Sequence, residues 1–242
     1  MRDLILAEMV SGVPHFDFIR AYRVLNIFVE SQASIQRVLD VGCYNGSFSK
    51  RIQAACNADE MYGLDFDETA LSLAAAKGIK TRKLNVDNDP YPFGPDSFDA
   101  IFAGEVIEHL NNPDHFLEET HRILRSNGLL VVTTPNLASW YNRIALLLGF
   151  HPYWLNNSYR FPYAGQLFKR TEEAVPEAGR HAKLYTRRAL TELLELYGFS
   201  ILHSSGYPYP LEGKRYLLFN LLDKLIDPFG ASTGIIIGCN KN

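Results

Sequence analysis

The run Val38-Leu39-Asp40-Val41-Gly42-Cys43-Tyr44-Asn45-Gly46, followed by a second apolar run that closes on Asp65, constrains this chain more than any other feature. It reads as a buried strand, a glycine-bearing turn, a helix, and a second strand ending in a carboxylate. Such a unit places a ligand crevice at the carboxyl ends of parallel strands. An acid about twenty residues past the turn is where folds of this kind hold a ribose diol. The first third of the chain therefore points to a ligand that contains a nucleoside.

The alternation continues downstream. Strands are expected near 36–41, 61–65, 79–84, 98–103, 128–134, 199–203 and 235–239. Helices are expected over 15–31, 46–55, 67–77, 112–125, 186–197 and 217–226. Asp67, Asn112-Pro113-Asp114 and Thr186 supply helix starts, and Gly78 and Gly198 supply stops. Strands alternating with helices give an α/β fold, a seven-stranded, mostly parallel sheet with helices on both faces. The rhythm breaks after Pro135. An apolar helix over 137–150 leads into an irregular stretch bearing Trp140, Tyr141, Tyr153, Trp154, Tyr159, Phe161 and Tyr163, with Arg143, Arg160, Lys169 and Arg170 between them. No repeat or linker divides the sequence, so 1–242 reads as one domain with a substrate-side insertion at about 135–182.

Composition excludes several classes of function. With a formal net charge of −3 and no basic stripe, the chain has no global field to attract nucleic acid. Three scattered cysteines do not make a disulfide scaffold and suit a reducing, cytoplasmic setting. Residues 1–20 carry Asp3, Glu8 and Pro14 and make a poor signal peptide. No apolar run approaches the ~20 residues of a spanning helix.

The turn itself narrows the ligand. Gly42 and Gly46 let backbone approach a ligand closely. A dinucleotide fingerprint needs a further glycine placed for a pyrophosphate, and a P-loop needs Gly-Lys-Ser/Thr. Neither is present, so the expected ligand has a nucleoside without a pyrophosphate. At this point Asp40-Val41-Gly42-Cys43-Tyr44-Asn45-Gly46 resembles motif I of the class I S-adenosylmethionine-dependent methyltransferases, a Rossmann-like group. The resemblance continues through Tyr62-Gly63-Leu64-Asp65, Asn85-Val86-Asp87, Phe98-Asp99-Ala100-Ile101, Glu105-Val106-Ile107-Glu108-His109 and Gly128-Leu129-Leu130-Val131-Val132. It is strong over 36–134 and looser over 183–204. It implies that the turn passes the methionine part of S-adenosylmethionine, that Asp65 binds the ribose hydroxyls, and that Asp87 binds the adenine amino group. The cofactor-binding set it implies is Asp40, Gly42, Cys43, Gly46, Asp65, Phe66, Val86, Asp87, Asn88, Ala103 and Glu105. It also implies an antiparallel last strand at the sheet edge. Tyr44 stands where the family usually has its middle glycine.

Chemistry is expected just beyond the fourth strand, at Glu105-Val106-Ile107-Glu108-His109. On a helical turn Glu105 and Glu108 share a face and His109 reaches the same side. Methyl transfer from a sulfonium needs mainly proximity and alignment, and a hydroxyl acceptor also needs its proton removed. Glu108 and His109 are the catalytic candidates. The segment is similar to one in ubiquinone-pathway O-methyltransferases and in 2′-O-methyltransferases of small RNAs, where it is linked to a divalent cation. That similarity implies Glu105, Glu108, His109 and a distal His181 as ligands, for Mg²⁺, Mn²⁺ or Zn²⁺. Equally, His109 alone serves as a general base, or as a satisfied buried histidine.

The expected acceptor is a small molecule, a sugar or a lipid-like compound, and the expected acceptor atom is oxygen, because no Asn-Pro-Pro-Tyr-type segment follows the fourth strand. A non-catalytic nucleoside-binding module, 2′-O-methylation of RNA and a nicotinamide-dependent reductase remain as alternatives. His115 and His121 read as solvated, and His15 and His151 have no recognisable partner in the sequence.

Overall fold

The computed structural model describes residues 9–10, 18–31, 34–158, 160–167, 180–207, 225 and 232–242. His15, Tyr159, Lys169, Arg170 and the expected 217–226 helix, apart from Leu225, lie outside the described residues.

The elements are α1 (Phe18–Glu30), β1 (Arg37–Val41), α2 (Ser47–Cys56), β2 (Glu60–Asp65), α3 (Glu68–Ala76), β3 (Lys80–Lys83) and β4 (Phe98–Gly104). A 3₁₀ turn (Ile107–His109), α4 (Pro113–Ile123), β5 (Leu124–Pro135), α5 (Trp140–Leu147), α6 (Arg187–Leu196), β6 (Phe199–Tyr207) and β7 (Gly234–Lys241) follow. Helix starts are set locally. Asp67 accepts from the Thr69 and Ala70 N–H groups, Asn112 from His115 N–H ahead of Pro113, and Thr186 from Ala189 N–H.

The seven strands form one sheet in the order β3-β2-β1-β4-β5-β7-β6. The first five are parallel, and β7 runs antiparallel to both β5 and β6. β7 therefore lies inside the sheet rather than at its edge, and β6 is the edge strand. Burial explains the exchange. Ile235, Ile236 and Ile237 are completely buried and need a neighbour on each side. Along β6, by contrast, Ser200, Leu202, His203 and Ser204 are exposed, which an edge strand tolerates.

Period-two alternation feeds two cores from the same strands. Leu39, Val41, Ile101, Ala103, Leu130, Val132, Ile235 and Ile237 face one side, with Phe116 and Leu117 of α4 and Leu190 and Leu194 of α6. Val38, Ala100, Phe102, Val131 and Ile236 face the other, with Val24, Leu25 and Phe28 of α1 and Ile52 of α2. Asp99 fixes the entry to β1 by accepting from the Gln36 and Arg37 N–H groups, 2.6 and 2.8 Å away. The chain leaves β1 towards β2 on one side and returns through β4 on the other. The ends of β1, β2 and β4 thus surround a topological switch point.

Packing at the turn is close. Gly46 has φ +71°, and a Cβ there would stand 2.3 Å from Ile79 Cδ1 and 2.9 Å from Ala74 Cβ. Gly78 has φ +82° with nothing within 4 Å of a Cβ. Gly78→Ala should therefore cost about 1 kcal/mol for left-handed backbone alone, and Gly46→Ala about 2 kcal/mol or more. Urea unfolding midpoints compare the two, and equal losses would refute the collision argument.

Candidate functional site

The glycine turn extends the β1–β2 ladder beyond the strands. The Gly42 and Cys43 N–H groups both donate to the Leu64 carbonyl, at 2.8 and 3.0 Å. The next N–H, on Tyr44, donates to Asp65 Oδ2 at 2.8 Å. Asp65 Oδ1 accepts from Asp67 N–H at 3.0 Å. Each oxygen of Asp65 thus takes one backbone donor and keeps a second acceptor direction. Gly42, at φ +76°, brings the turn against the segment after β4, for a Cβ there would lie 2.6 Å from Val106 Cγ2. Tyr44 keeps the left-handed shape of a glycine, with φ 46°, and its ring is exposed. The Phe66 ring, at the tip of β2, is exposed as well.

Other members of the expected cofactor set are used by the chain itself. Asp40 is buried under the turn, where its Oδ2 accepts from Ser49 Oγ at 2.6 Å. Burial raises its pKa to about 7, assisted by the charge of Asp65 and opposed by the Ser49 bond. Cys43 is buried, with Sγ 2.6 Å from where a Cβ on Gly63 would stand, and burial pushes its thiol up. Asp87 accepts from Asn112 N–H at 2.7 Å on Oδ1, and from Asn111 N–H and Nδ2 at 3.2 and 3.0 Å on Oδ2. Burial alone would raise its pKa, but these donors and Lys183 outweigh it and leave it lowered. Val86 packs half-buried on the core, Asn88 is exposed, and Ala103 is buried in β4.

Beyond the end of β4 lies a cavity of about 130 Å³, lined by Glu105, Glu108, His109 and His181 among others. Glu105 opens it with φ 56°, so the helical turn expected over 105–109 begins only at Ile107. The left-handed residue sends the two carboxylates different ways. Glu105 Oε1 accepts from Thr133 Oγ1 at 2.8 Å and Tyr207 Oη at 2.9 Å, with Arg20 Nη1 at 3.6 Å. Glu108, completely buried, accepts from Thr134 Oγ1 at 2.9 Å on Oε2, and its Oε1 has no hydrogen-bond partner.

His109 Nδ1 lies 2.8 Å from the Arg180 carbonyl oxygen. A carbonyl only accepts, so Nδ1 carries the proton and the neutral ring leaves its lone pair on Nε2, 4.0 Å from Glu108 Oε1. The 180–183 segment comes alongside because the Ala182 and Lys183 N–H groups donate to the Glu108 carbonyl, at 2.8 and 3.0 Å. His181 is held there by its N–H bond to Asn156 Oδ1 at 2.8 Å, and its buried Nδ1 has no partner. The His109 and His181 rings are 4.8 Å apart, edge to face.

Among the described residues, Glu108, His109 and His181 bring one ligand atom each to within 4.8 Å of one another. Glu105 lines the same cavity but stands outside this trio. Burial pushes Glu108 well above the usual carboxylate range, and the charge of Glu105 pushes the same way. Burial, then neighbouring His109, lowers His181 to about 4. Both shifts disfavour the charged forms. Two buried acceptors without donors, joined by a third lone pair, form a donor set that fits a divalent cation. Ligands about 2.1 Å from one ion lie up to about 4.2 Å apart, so only a small closure is required.

Reading the sequence alone misses Tyr207, Thr133, Thr134 and Arg20. The threonine pair is a legible signal, because two polar residues close a buried strand at the carboxyl end, the end at which β2 carries Asp65. Tyr207 carries none: its ring packs where a Cβ on Gly234 would be, 2.1 Å away, through a pairing of distant strands. The other histidines have local roles. His115 Nε2 meets the Asp89 carbonyl, His121 packs edge-on to Phe199, and His151 Nε2 meets the Leu155 carbonyl.

The sequence profile of a family described as "Methyltransferase domain" matches residues 15–204. A probable S-adenosylmethionine-dependent methyltransferase of Mycobacterium tuberculosis is 31% identical over 117 residues, 48% of this chain and 42% of that protein. The ubiquinone biosynthesis O-methyltransferase of Dechloromonas aromatica is 30% identical over 107 residues, 42% of this chain and 45% of that protein. The chain thus spans less than half the length of these two curated relatives. The crystal structure of a SAM-dependent methyltransferase from Thermotoga maritima superposes with a TM-score of 0.59 at 17% identity, covering 100% of this chain and 97% of that one. At that identity the likeness establishes the fold.

Asp40 makes stability depend on pH. Its folded pKa, about 7, stands above the unfolded value near 3.8. Between the two, the folded protein keeps a proton that the unfolded chain releases. Its contribution is therefore full below about pH 4 and falls as pH rises towards 7, by about 4 kcal/mol. His181 acts oppositely between about pH 4 and 6.5, equally in parent and variant. Asp40→Asn should remove the falling component, so that denaturant unfolding across this range shows a more positive slope than the parent. Identical slopes would refute the assignment.

Proposed function

The chain belongs to the methyltransferase-domain family, and from that premise we propose that it transfers a methyl group from S-adenosylmethionine to an oxygen of a small-molecule, sugar or lipid-like acceptor. The observation that carries the reading is the Asp65 carboxylate, held at the tip of β2 by the glycine turn, with an acid–imidazole cavity at the end of β4, on the other side of β1. The likeness to an O-methyltransferase supports oxygen as the acceptor atom.

The cofactor supplies an already activated methyl group, which leaves the protein to bind, align and remove a proton. Asp65 offers its two remaining acceptor directions to the ribose hydroxyls. Phe66 presents a ring and Val86 and Asn88 the adjoining wall for the adenine, while Asp87 has acceptor capacity left on Oδ1 beyond its hold on Asn112. Gly42, Cys43, Gly46 and Ala103 shape the floor, and Asp40 supports it from below through Ser49. Glu105, fixed by Thr133 and Tyr207, faces the cavity beside the cofactor's methionine end.

His109 is the residue we assign to proton removal. Its Nδ1–H is anchored on Arg180, which leaves Nε2 free to accept the acceptor's hydroxyl proton. Glu108, whose Oε1 lies 4.0 Å from that nitrogen, orients the acceptor. A second reading is favoured by the unpartnered Glu108 Oε1 and His181 Nδ1. These atoms and His109 Nε2 would hold a divalent cation, which would lower the pKa of the acceptor hydroxyl. Because Glu108 must lose its proton to serve as a ligand, cation affinity would weaken as pH falls.

Two measurements test the proposal. Asp65→Ala should weaken S-adenosylhomocysteine binding, read by calorimetry, by ~1–3 kcal/mol, or about 5–150-fold. Unchanged affinity would put the nucleoside elsewhere, and binding without any turnover of S-adenosylmethionine would favour a non-catalytic module. His109→Gln should lower turnover by about a hundredfold or more on either reading. Excess chelator and His181→Ala separate the two, since full activity under both removes the cation.

A further inference from the structure

Helix α5 is built inside out. Its completely buried positions are Asn142 and Ala145. The Asn142 side chain is committed to backbone, donating to the Asn136 and Tyr153 carbonyls and accepting from Tyr153 N–H at 2.8 Å. Polar Asn142 therefore faces the protein while the aliphatic residues face outward. Ile144, Leu146, Leu147, Leu148 and Phe150 are 46, 52, 85, 59 and 37% exposed. The His151 N–H donates to the Gly165 carbonyl at 2.8 Å and draws a second turn to the foot of the helix. That turn bears Phe161, 53% exposed, with the Arg160 guanidinium over its ring at 5.4 Å. Single exposed apolar residues are ordinary, but five within the seven positions 144–150, three of them consecutive, call for something to cover them.

Charge selects the cover. Although the chain carries 27 acidic residues, none occurs between Glu119 and Glu172. The basic residues of the face, Arg143 and Arg160, thus stand in a stretch of sequence without acids, in a protein of net charge −3. Outward leucines and phenylalanines, flanked by arginines and by Trp140 and Tyr141, have the composition that inserts at a lipid–water boundary. We propose that the Ile144–Phe150 and Arg160–Phe161 face docks on an anionic lipid surface. Trp154, from the same segment, lines the cavity with Glu108 and His181, so docking would bring the cavity wall to the bilayer. The inference is independent of which acceptor is methylated.

The test is co-sedimentation of the full chain with vesicles of phosphatidylcholine alone, or of phosphatidylcholine with phosphatidylglycerol. The chain should favour the anionic vesicles by about tenfold, and added salt should weaken the preference. Leu147→Glu with Leu148→Glu should lower binding at least about tenfold while the thermal midpoint and S-adenosylhomocysteine affinity stay unchanged. Arg143→Gln with Arg160→Gln should remove the preference for phosphatidylglycerol and leave circular dichroism unaltered. Failure of the parent chain to sediment with either vesicle would overturn the proposal. So would equal binding by the leucine variant, or a dimer in sedimentation velocity that the same variant converts to monomer, which would make the face a contact between copies.

Discussion

The bond from Tyr44 N–H to the Asp65 carboxylate holds the site in shape. It is the third of three donations from successive turn residues, after Gly42 and Cys43 have both used the Leu64 carbonyl. Backbone pairing between β1 and β2 ends at that point, and a side chain continues it by one more bond. The arrangement requires left-handed backbone at Gly42, Tyr44 and Gly46. For Tyr44 this conformation costs about 1–2 kcal/mol, offset by a hydrogen bond to a charged acceptor. The fold thus fixes the direction of the Asp65 carboxylate through backbone donors on both of its oxygens.

The cavity at the end of β4 holds polar atoms that the fold leaves without partners. Burying a polar atom without a partner costs about 1–3 kcal/mol, and Glu108 Oε1 and His181 Nδ1 are both in that position. Burial disfavours the charged form of each group, raising the pKa of the acid and lowering that of the imidazole. Glu105, three residues earlier, is treated differently. Its left-handed backbone turns it towards Thr133, Tyr207 and Arg20, so two carboxylates close in sequence occupy unlike environments.

Much of the fold is legible in the chain. Continuous apolar runs such as Val38-Leu39 and Leu130-Val131-Val132 specify strands buried on both faces, and Asp67, Asn112 and Thr186 mark helix starts by chemistry that is local. The turn at 42–46 is legible because glycine spacing reflects steric demand. The position of β7 between β5 and β6 is not, since it depends on which neighbour buries Ile235–Ile237 better. Nor is the direction of the Glu105 side chain, because a single left-handed residue cancels the helical spacing that would align it with Glu108. Segment 136–167 defeats periodicity too, as Asn142 points inward and its leucines outward.

The sequence by itself determined the strand-and-helix alternation, the glycine turn and the carboxylate at its far end, because each depends on residues near one another in the chain. The resemblance already set His181 with His109, but only the tertiary structure decided that Tyr207 and Thr133 meet Glu105 and that Glu108 Oε1 and His181 Nδ1 are left without partners. Those meetings are set by strand order and by loops that return from distant positions, and no local rule of spacing encodes them.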